Sequence, residues 1–257
     1  MESRRLAITL TAGAVVVAAA TQGRARWLRW GATTDELRDA LPGDDLIVDA
    51  HLVATRAITI DCGPEAVWPW IAQLGQGRGG WYSYDFLENI VGCDIHSADR
   101  IVAAWQDVRV DDEVHLAPQA ALLVAVVKPP RALVLRGSVP VGNTAPFDFS
   151  WAFAVRDGAH GTTRLVVRER YRYQRWWAAL LVEPTEIISF VMSQKMLRSI
   201  RDRAERSVPG LEAPASTRPR RRSGRQTLPR RPPAPTRDRN SCQPTANPGQ
   251  MPAGLDL

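Results

Sequence analysis

The segment Glu183–Arg206 most constrains the fold, because its pattern predicts one long helix after a series of strands. Pro184 suits the first turn of a helix, and the arginines that crowd the far end complement the negative end of the helix dipole. The apolar residues of the segment recur every four positions: Ile188, Met192, Met196, Ile200 and Ala204. A stripe with this spacing winds slowly around a helix. We therefore expect a curved sheet to cross the helix obliquely and cover the stripe.

Between residues 51 and 173 the pattern is mainly that of strands, interrupted early by two helices. Gly63-Pro64-Glu65 is typical of a helix start, and a short second helix is expected after Trp81 and Tyr82. The expected strands are His51–Asp61, Ile101–Trp105, Glu113–Leu116, Ala120–Lys128, Ala132–Gly137, Phe147–Val155 and Thr162–Tyr173. This order predicts an α+β fold in which the long terminal helix covers the one buried face of an antiparallel sheet.

Two of these strands carry the clearest alternation. In Phe147–Val155 every second residue is apolar and mostly aromatic, which gives the strand one heavily aromatic face. In Thr162–Tyr173 the apolar face includes a carboxylate, Glu169. A carboxylate in an apolar setting has a raised pKa unless a cation or a hydroxyl group satisfies it. Glu169 is therefore either a site residue or the ion-pair partner of Arg136 or another arginine.

The segment from Gln73 to Ile101 is the least generic part of the chain. Four glycines within Gly75–Gly80 indicate a tight turn, since the run lacks the Gly-Lys-Ser/Thr ending of a phosphate-binding loop. Trp81, Tyr82 and Tyr84 follow directly. Aromatic residues with polar tips commonly form the lip of an apolar pocket, and they also pack in cores. Both interpretations stay open at this point.

Few residues in the sequence have the spacing of a metal or cofactor site. Asp94, His96 and Asp99 are ligand types that metals use, but the same residues suit a turn that leads into a strand. The three cysteines are widely separated and form no C-x-x-C pair, which argues against a zinc site and a disulfide framework. We expect neither a metal nor another cofactor, and the cysteine usage favours a reducing compartment.

The basic character of the chain lies in its C-terminal tail. Residues 209–257 hold nine arginines and three acidic residues, which accounts for the whole formal net charge of +6. The remainder is neutral, so we do not expect the folded domain to bind nucleic acid. The tail is also rich in proline and poor in apolar residues, which predicts disorder over residues 208–257.

The N-terminal residues 1–26 contain an uncharged run, Leu6–Ala20, with arginines on both sides. At about 1.5 Å per residue the run spans roughly 22 Å as a helix, less than the roughly 30 Å of a bilayer core. Its composition also suits a signal peptide. We favour a single retained anchor with the domain in the cytoplasm, and the alternative is secretion after signal cleavage. Residues 27–50 are expected to form a lead-in segment before the domain.

Several motifs together resemble one superfamily. They are Arg29–Thr33, Leu41–Asp44, Gly75–Asp85, Leu87–Asn89, Asp94–Ile101, Pro129–Gly137 and the final helix. With them the chain resembles the START-like helix-grip proteins (SRPBCC superfamily), a group named for polyketide cyclases, dehydrases and lipid transport. Within that group it is most similar to actinobacterial members with a short N-terminal anchor. The resemblance covers roughly Trp27 to Arg206, and the arginine-rich tail lies outside it.

The resemblance implies a curved antiparallel sheet of about seven strands that grips the last helix, within a domain over residues 51–207. It also implies an apolar cavity between sheet and helix. The implied lip consists of Trp81, Tyr82 and Tyr84. The implied wall consists of Phe149, Trp151, Val167, Tyr171, Ile188 and Met192, and the implied polar positions are Arg136 and Glu169.

Three functions follow as expectations. The leading one is the binding or transport of a small to mid-sized apolar ligand, such as a lipid, isoprenoid or polyketide, at a membrane that the N-terminal segment contacts. The rival is a polyketide cyclase or dehydratase in which Glu169 or His96 is the acid or base. The third is a scaffold that contacts a partner through its tail. Superfamily membership does not decide between them, because one fold hosts many activities.

Overall fold

The computed structural model describes residues 22–137 and 145–207. The expected anchor Leu6–Ala20 and the expected disordered tail over 208–257 lie outside these residues. Within the described ranges, no helix combines the length and the apolar composition that a bilayer span requires. Cys62 and Cys93 are free thiols in the described part of the chain.

The fold is α+β, as predicted, and is built on one antiparallel sheet. The strands of the described residues are β1 (Leu52–Ile60), β2 (Glu113–Ala117), β3 (Ala120–Lys128), β4 (Ala132–Gly137), β5 (Phe147–Asp157) and β6 (Thr163–Tyr173). Their order across the sheet is β1-β6-β5-β4-β3-β2. Irregularities in register within the β2–β3 and β3–β4 pairs bend this side of the sheet, because an extra residue on one strand increases its local twist.

Four helices join the sheet. They are α1 (Thr34–Arg38), α2 (Pro64–Ala72), α3 (Asp85–Ile90) and the long α4 (Ala178–Arg206). Residues 22–28 are also helical. The main core lies between the sheet and the α2–α4 layer, where Trp70, Leu133, Phe153 and Ile200 are buried. A long terminal helix packed across an antiparallel sheet is the predicted helix-grip architecture.

The predicted strand Ile101–Trp105 is wrong, so the described sheet has six strands instead of about seven. Residues Ala103–Trp105 form a short 3-10 helix. The backbone of this segment bonds to side chains from the end of α2 and the glycine turn. The Val102 amide donates to Gln73 Oε1 (3.1 Å), and Arg78 donates to the Trp105 carbonyl (2.6 Å). Groups that are satisfied in this way are not free to pair with a neighbouring strand.

The terminal helix begins at Ala178, earlier than the predicted Glu183, so that Pro184 lies inside it. Proline has no amide hydrogen and disturbs the preceding turn. The hydroxyl of Thr185 donates to the carbonyls of Leu181 (3.2 Å) and Val182 (2.9 Å) in the turn before it. Ala178 and Val182 are both buried, so packing holds the first turns in place.

The predicted apolar stripe is correct only in the C-terminal half of α4. Met196, Ile200 and Ala204 are buried, whereas Ile188 is 60% exposed. The buried face of the first half instead carries Val182, Glu186 and Ser193. These positions follow the ordinary helical period of 3.6 residues, which places Ile188 on the opposite side from Glu186. The face of α4 that packs on the sheet is therefore partly polar in the first half of the helix and apolar in the second half.

The outer face of the sheet is also covered, contrary to the expectation of one buried face. Leu41 of the lead-in segment packs on Ala57, Ala154 and Val166. Arg168 of β6 reaches across to this segment and donates to the carbonyl of Glu36 (2.6 Å) and to Asp44 (2.5 Å). Its side chain is only 3% exposed. The lead-in segment is thus a second layer, held by buried arginine contacts.

Replacing this arginine tests the layer. We expect Arg168→Met to lower the free energy of unfolding by about 3–5 kcal/mol, because it removes a buried guanidinium group from Asp44 and from the backbone carbonyls of Glu36 and Asp39. Arg172→Met on the same strand is the control, since Arg172 is largely exposed and pairs with Asp148 at the surface. Its loss should cost less than about 1 kcal/mol in urea unfolding. Equal losses of stability in the two variants would contradict the inference that Arg168 holds the lead-in segment on the sheet.

Candidate ligand cavity

A cavity of about 480 Å³ lies between the inner face of the sheet and the first half of α4. Small-molecule sites usually measure about 300–1,000 Å³. The lining residues are Trp81, Ser83, Glu88, Cys93, Leu116, Phe147, Phe149, Trp151, Glu169, Tyr171, Leu181, Val182, Thr185, Ser189, Met192, Ser193 and Met196. Most are apolar or aromatic. The space opens where the buried face of α4 changes from large apolar side chains to serines.

The aromatic wall follows from the period of β5. Alternate residues of a strand face the same side, so Phe147, Phe149 and Trp151 all line the cavity. Trp151 stacks on Trp81 with ring centroids 4.9 Å apart, and Phe149 contacts Tyr171 at 4.8 Å. Stacked and tilted aromatic pairs hold one another in place. This wall is mainly apolar, and its polar atoms include the indole nitrogens of Trp81 and Trp151, which have no hydrogen-bond partner among the described residues.

The glycine turn positions Trp81 in that wall. Gly75 and Gly80 exchange backbone hydrogen bonds of 3.1 and 3.0 Å, which close the predicted tight turn. Gly80 has a left-handed backbone (φ 71°), and a Cβ atom there would lie 2.9 Å from the carbonyl oxygen of His96. Only glycine fits this position. The chain therefore leaves the turn at a fixed angle that places Trp81 against β5.

A buried polar cluster borders the cavity beneath Tyr171. Arg56 of β1 is 1% exposed and donates to Glu169 Oε1 (2.9 Å) and to Glu186 of α4. Ser189 donates to Glu169 Oε2 at 2.9 Å, and the Tyr171 hydroxyl donates to the same oxygen at 3.3 Å. Ser193 donates to Oε1 at 3.3 Å, so the carboxylate of Glu169 has a cation and three hydroxyl donors. The predicted ion pair with an arginine exists, and its partner is Arg56 instead of Arg136.

The cluster holds one guanidinium between two carboxylates. Full ionisation would leave a surplus negative charge in a buried site, which is costly. Burial and the neighbouring Glu169 charge raise the pKa of Glu186 to about 7, despite the contact with Arg56. One oxygen of Glu186 has no hydrogen-bond partner among the described residues. Glu186 can therefore take up the proton that balances the cluster as the pH falls through about 7.

Glu88 is a second carboxyl group in the cavity wall. Asp85 and Asn89 fix the short helix α3, since Asp85 accepts from Ser97 (2.6 and 2.7 Å) and Asn89 from the Ile95 amide (2.6 Å). The face between them carries Glu88, which is 7% exposed. Burial, followed by the charge of Asp85, raises the pKa of Glu88 to about 7. Its Oε2 has no hydrogen-bond partner among the described residues.

The structure divides the predicted site residues into two groups. Those that line the cavity are Trp81, Phe149, Trp151, Glu169, Tyr171 and Met192. Tyr82 and Val167 lie in the core instead, where the Tyr82 hydroxyl accepts from Gln73 (2.8 Å). Tyr84 and Ile188 are exposed at the surface. Arg136 points to the other face of the sheet, because it is one residue out of phase with the buried Leu135.

His96 does not reach the cavity. Its side chain is 81% exposed and lies 3.2 Å from Asp94, while Asp99 binds Arg203 (2.9 Å). The two aspartates thus have different partners. Among residues 22–137 and 145–207, no three metal-ligating side chains lie close enough together to hold a metal ion.

The sequence reasoning missed Arg56, Glu88, Glu186, Ser189 and Ser193. One signal for Arg56 was available. It alternates in phase with Ala54 and Ile58 in the first strand, so its side chain belongs to the inner face. Glu88 gave a weaker signal, as an acidic residue inside the aromatic segment that the resemblance highlighted.

Comparisons with known proteins give a limited result. No protein-family model matches the sequence, and no curated protein matches it. Solved structures with some similarity include CalU16 from Micromonospora echinospora, which is 14% identical with a TM-score of 0.31 and matches 60% of this chain and 84% of its own. A polyketide-cyclase-like protein from Corynebacterium glutamicum is 14% identical with a TM-score of 0.35, over 58% of this chain and 88% of its own. NE0264 from Nitrosomonas europaea is 9% identical with a TM-score of 0.39, over 61% and 96%. Values this low leave the family of the chain open.

The raised pKa values of Glu88 and Glu186 predict a pH-dependent stability. Both folded-state pKa values are about 7 against an ordinary 4.5, so the folded protein binds more protons than the unfolded chain between these values. The contribution of each group to stability is complete below pH 4.5 and falls as the pH rises through 7. Glu88→Gln and Glu186→Gln should remove this fall. Each variant should therefore gain stability relative to wild type between about pH 5 and pH 8 in urea unfolding.

The control is Glu65→Gln, since Glu65 is exposed on α2. Its stability difference from wild type should not change across the same range. A pH-independent difference for both Glu88→Gln and Glu186→Gln would show that neither carboxyl group is protonated in the folded protein.

Proposed function

We propose that this protein binds a small or mid-sized apolar ligand, such as a lipid, isoprenoid or polyketide, between its sheet and α4. The observation that carries the proposal is the cavity of about 480 Å³ with its aromatic wall. A well-packed core contains few voids larger than a water molecule, so a space of this size is not ordinary core structure. The stacked Trp81 and Trp151 keep one side of it open and apolar.

The location of the apolar surface supports binding at a membrane. Large apolar side chains are exposed on the two helices that flank the cavity, and we call this set the apolar rim. It comprises Phe86, Leu87, Ile90 and Val91 in and after α3, and Trp176, Leu180, Leu181, Ile187, Ile188 and Val191 at and before the first half of α4. Phe86 is 75% and Trp176 is 86% exposed. An exposed apolar patch of this extent marks an interaction site.

A lipid bilayer is the occupant that we propose for the apolar rim. Arg24 in the helical residues 22–28 binds Glu183 of α4 at 2.6 Å, so the chain enters the domain beside the rim. The apolar run Leu6–Ala20 immediately precedes this point in the sequence. A chain that is held in a membrane by that run would bring the rim to the lipid surface. Leu181 belongs to the rim and also lines the cavity, which would connect the cavity with the lipid.

Filling the cavity tests the binding proposal. Met192→Trp should weaken the binding of the neutral fluorescent probe Nile red by at least about tenfold, because the larger ring occupies part of the proposed ligand space. Ile188→Trp, one turn earlier on the exposed side of α4, is the matched control and should leave the affinity within about twofold of wild type. Fluorescence titration measures both. Equal effects of the two changes, or no binding by wild type, would refute the proposal.

Quenching by brominated lipids tests the rim. The tryptophan fluorescence of the full chain on phosphatidylcholine vesicles should fall when the acyl chains carry bromine, and Trp176→Phe should remove a measurable part of the quenching. Trp105→Phe is the control, because Trp105 lies outside the rim in the 3-10 helix. Unchanged quenching in Trp176→Phe would mean that the protein binds lipid without the rim.

A cyclase or dehydratase is the second candidate, and the presence of Glu88 and Glu169 in one cavity favours it. General acid–base catalysis uses a group with a pKa near the working pH, and the pKa of Glu88, about 7, meets that requirement. If the protein is such an enzyme, Glu88→Gln would abolish turnover of a polyketide substrate and retain Nile red binding. Recovery of bound but chemically unchanged ligand from the wild type would favour binding alone.

A further inference from the structure

The carboxyl groups of Glu88 and Glu169 make the charged part of the cavity wall acidic, and no cation of the described residues lines the wall. Arg56 stands behind Glu169 and is committed to two carboxyl groups. An anionic ligand would therefore meet negative charge without a cation to balance it, in a setting where charge interactions are strong.

Glu88 is the carboxyl group of the wall that lacks a partner, and the indole N–H groups of Trp81 and Trp151 in the same wall also have none among the described residues. Only 7% of the residue is exposed to solvent, and its Oε2 accepts no hydrogen bond in the described structure. The ionisable groups that face it are Asp85 on its own helix, Cys93 just after it, and Glu169 with Tyr171 across the cavity. All are acidic or neutral. A buried polar group without a partner costs free energy that a bound ligand can recover.

We propose that the cavity selects uncharged apolar ligands that carry a hydroxyl group and rejects carboxylates of the fatty-acid type, with Glu88 as the specificity-determining residue. This inference rests on the proposed function. A hydroxyl group both donates and accepts hydrogen bonds, so it satisfies Glu88 in either protonation state. A carbonyl group only accepts and therefore pairs with the protonated form, whereas an alkylammonium group only donates and therefore pairs best with the ionised form. A site built to bind a hydroxyl group discriminates strongly against analogues that lack it.

Displacement of Nile red from the full chain tests the inference with ligands of equal length. At about pH 8, 1-decanol should displace the probe at a concentration at least roughly tenfold lower than decanoate, since the carboxylate faces the charge of Glu88. Glu88→Gln should reduce this ratio at least about threefold, because the amide has the same shape and no charge. Glu88→Leu should weaken the binding of decanol by about tenfold, measured against the Nile red affinity of the same variant. Glu65→Gln should match the wild type.

A pH series supplies a readout that a purely structural role of Glu88 would not change. Because the pKa of Glu88 is about 7, the wild-type preference for decanol over decanoate should shrink as the pH is lowered through 7. Decanoate itself stays ionised in solution over this range. The preference of Glu88→Gln should be less dependent on pH, and this comparison separates Glu88 from Glu186, whose pKa is also about 7.

The outcomes separate the inference from the proposed function. If Nile red does not bind the wild type, the proposed apolar-ligand function fails. If Nile red binds and decanol and decanoate displace it equally, only the inference is overturned. Stronger displacement by decylamine than by decanol would overturn the assignment of a hydroxyl ligand. Should the Glu88 variants fail to fold, the wild-type ratio and its change with pH decide the question.

Discussion

The contact of Arg56 with Glu169 and Glu186 ties the main layers of the domain together. It joins the edge strand β1, its neighbour β6 and the helix α4 through one guanidinium group that is 1% exposed. Removing one member of such a group leaves uncompensated charge in the interior, which typically costs about 3–5 kcal/mol. The first half of α4 has few apolar residues on its buried face. Its position over the sheet therefore depends on this polar contact and on the serines beside it.

The same contact shapes the cavity. Large side chains such as Met196 and Ile200 fill the space under the second half of α4, whereas the polar cluster occupies less volume under the first half. The helix is held at a fixed distance by Arg56, so the sheet and helix cannot close on the space between them. The same polar cluster therefore contributes to the stability of the domain and keeps the cavity open. Variants that replace the cluster by well-packed apolar residues would exchange the cavity for core.

Much of the architecture could be predicted, because it depends on local period. The alternation in β5 correctly predicted the aromatic wall, and Glu169 was recognisable as a carboxylate on an apolar face. The partner of Glu169 could not be predicted, since Arg56 meets it only when β1 pairs with β6. The predicted buried face of α4 was wrong in the first half of the helix. The prediction assigned that face to the apolar residues, whereas Glu186 and the serines form it. A polar residue reveals burial only through its tertiary partners.

The strand order has a consequence for the synthesis of the protein. Among the described strands, β1 pairs with β6 alone. Arg56 on β1 and Glu169 on β6 are 113 positions apart along the chain. A ribosome adds about 5–20 residues per second, so the first strand emerges many seconds before the strand that completes it. During that interval the segment that becomes β1 lacks the strand with which it pairs, and unpaired strand backbone can pair with other chains. The synthesis of β6 therefore ends the interval in which β1 can pair wrongly.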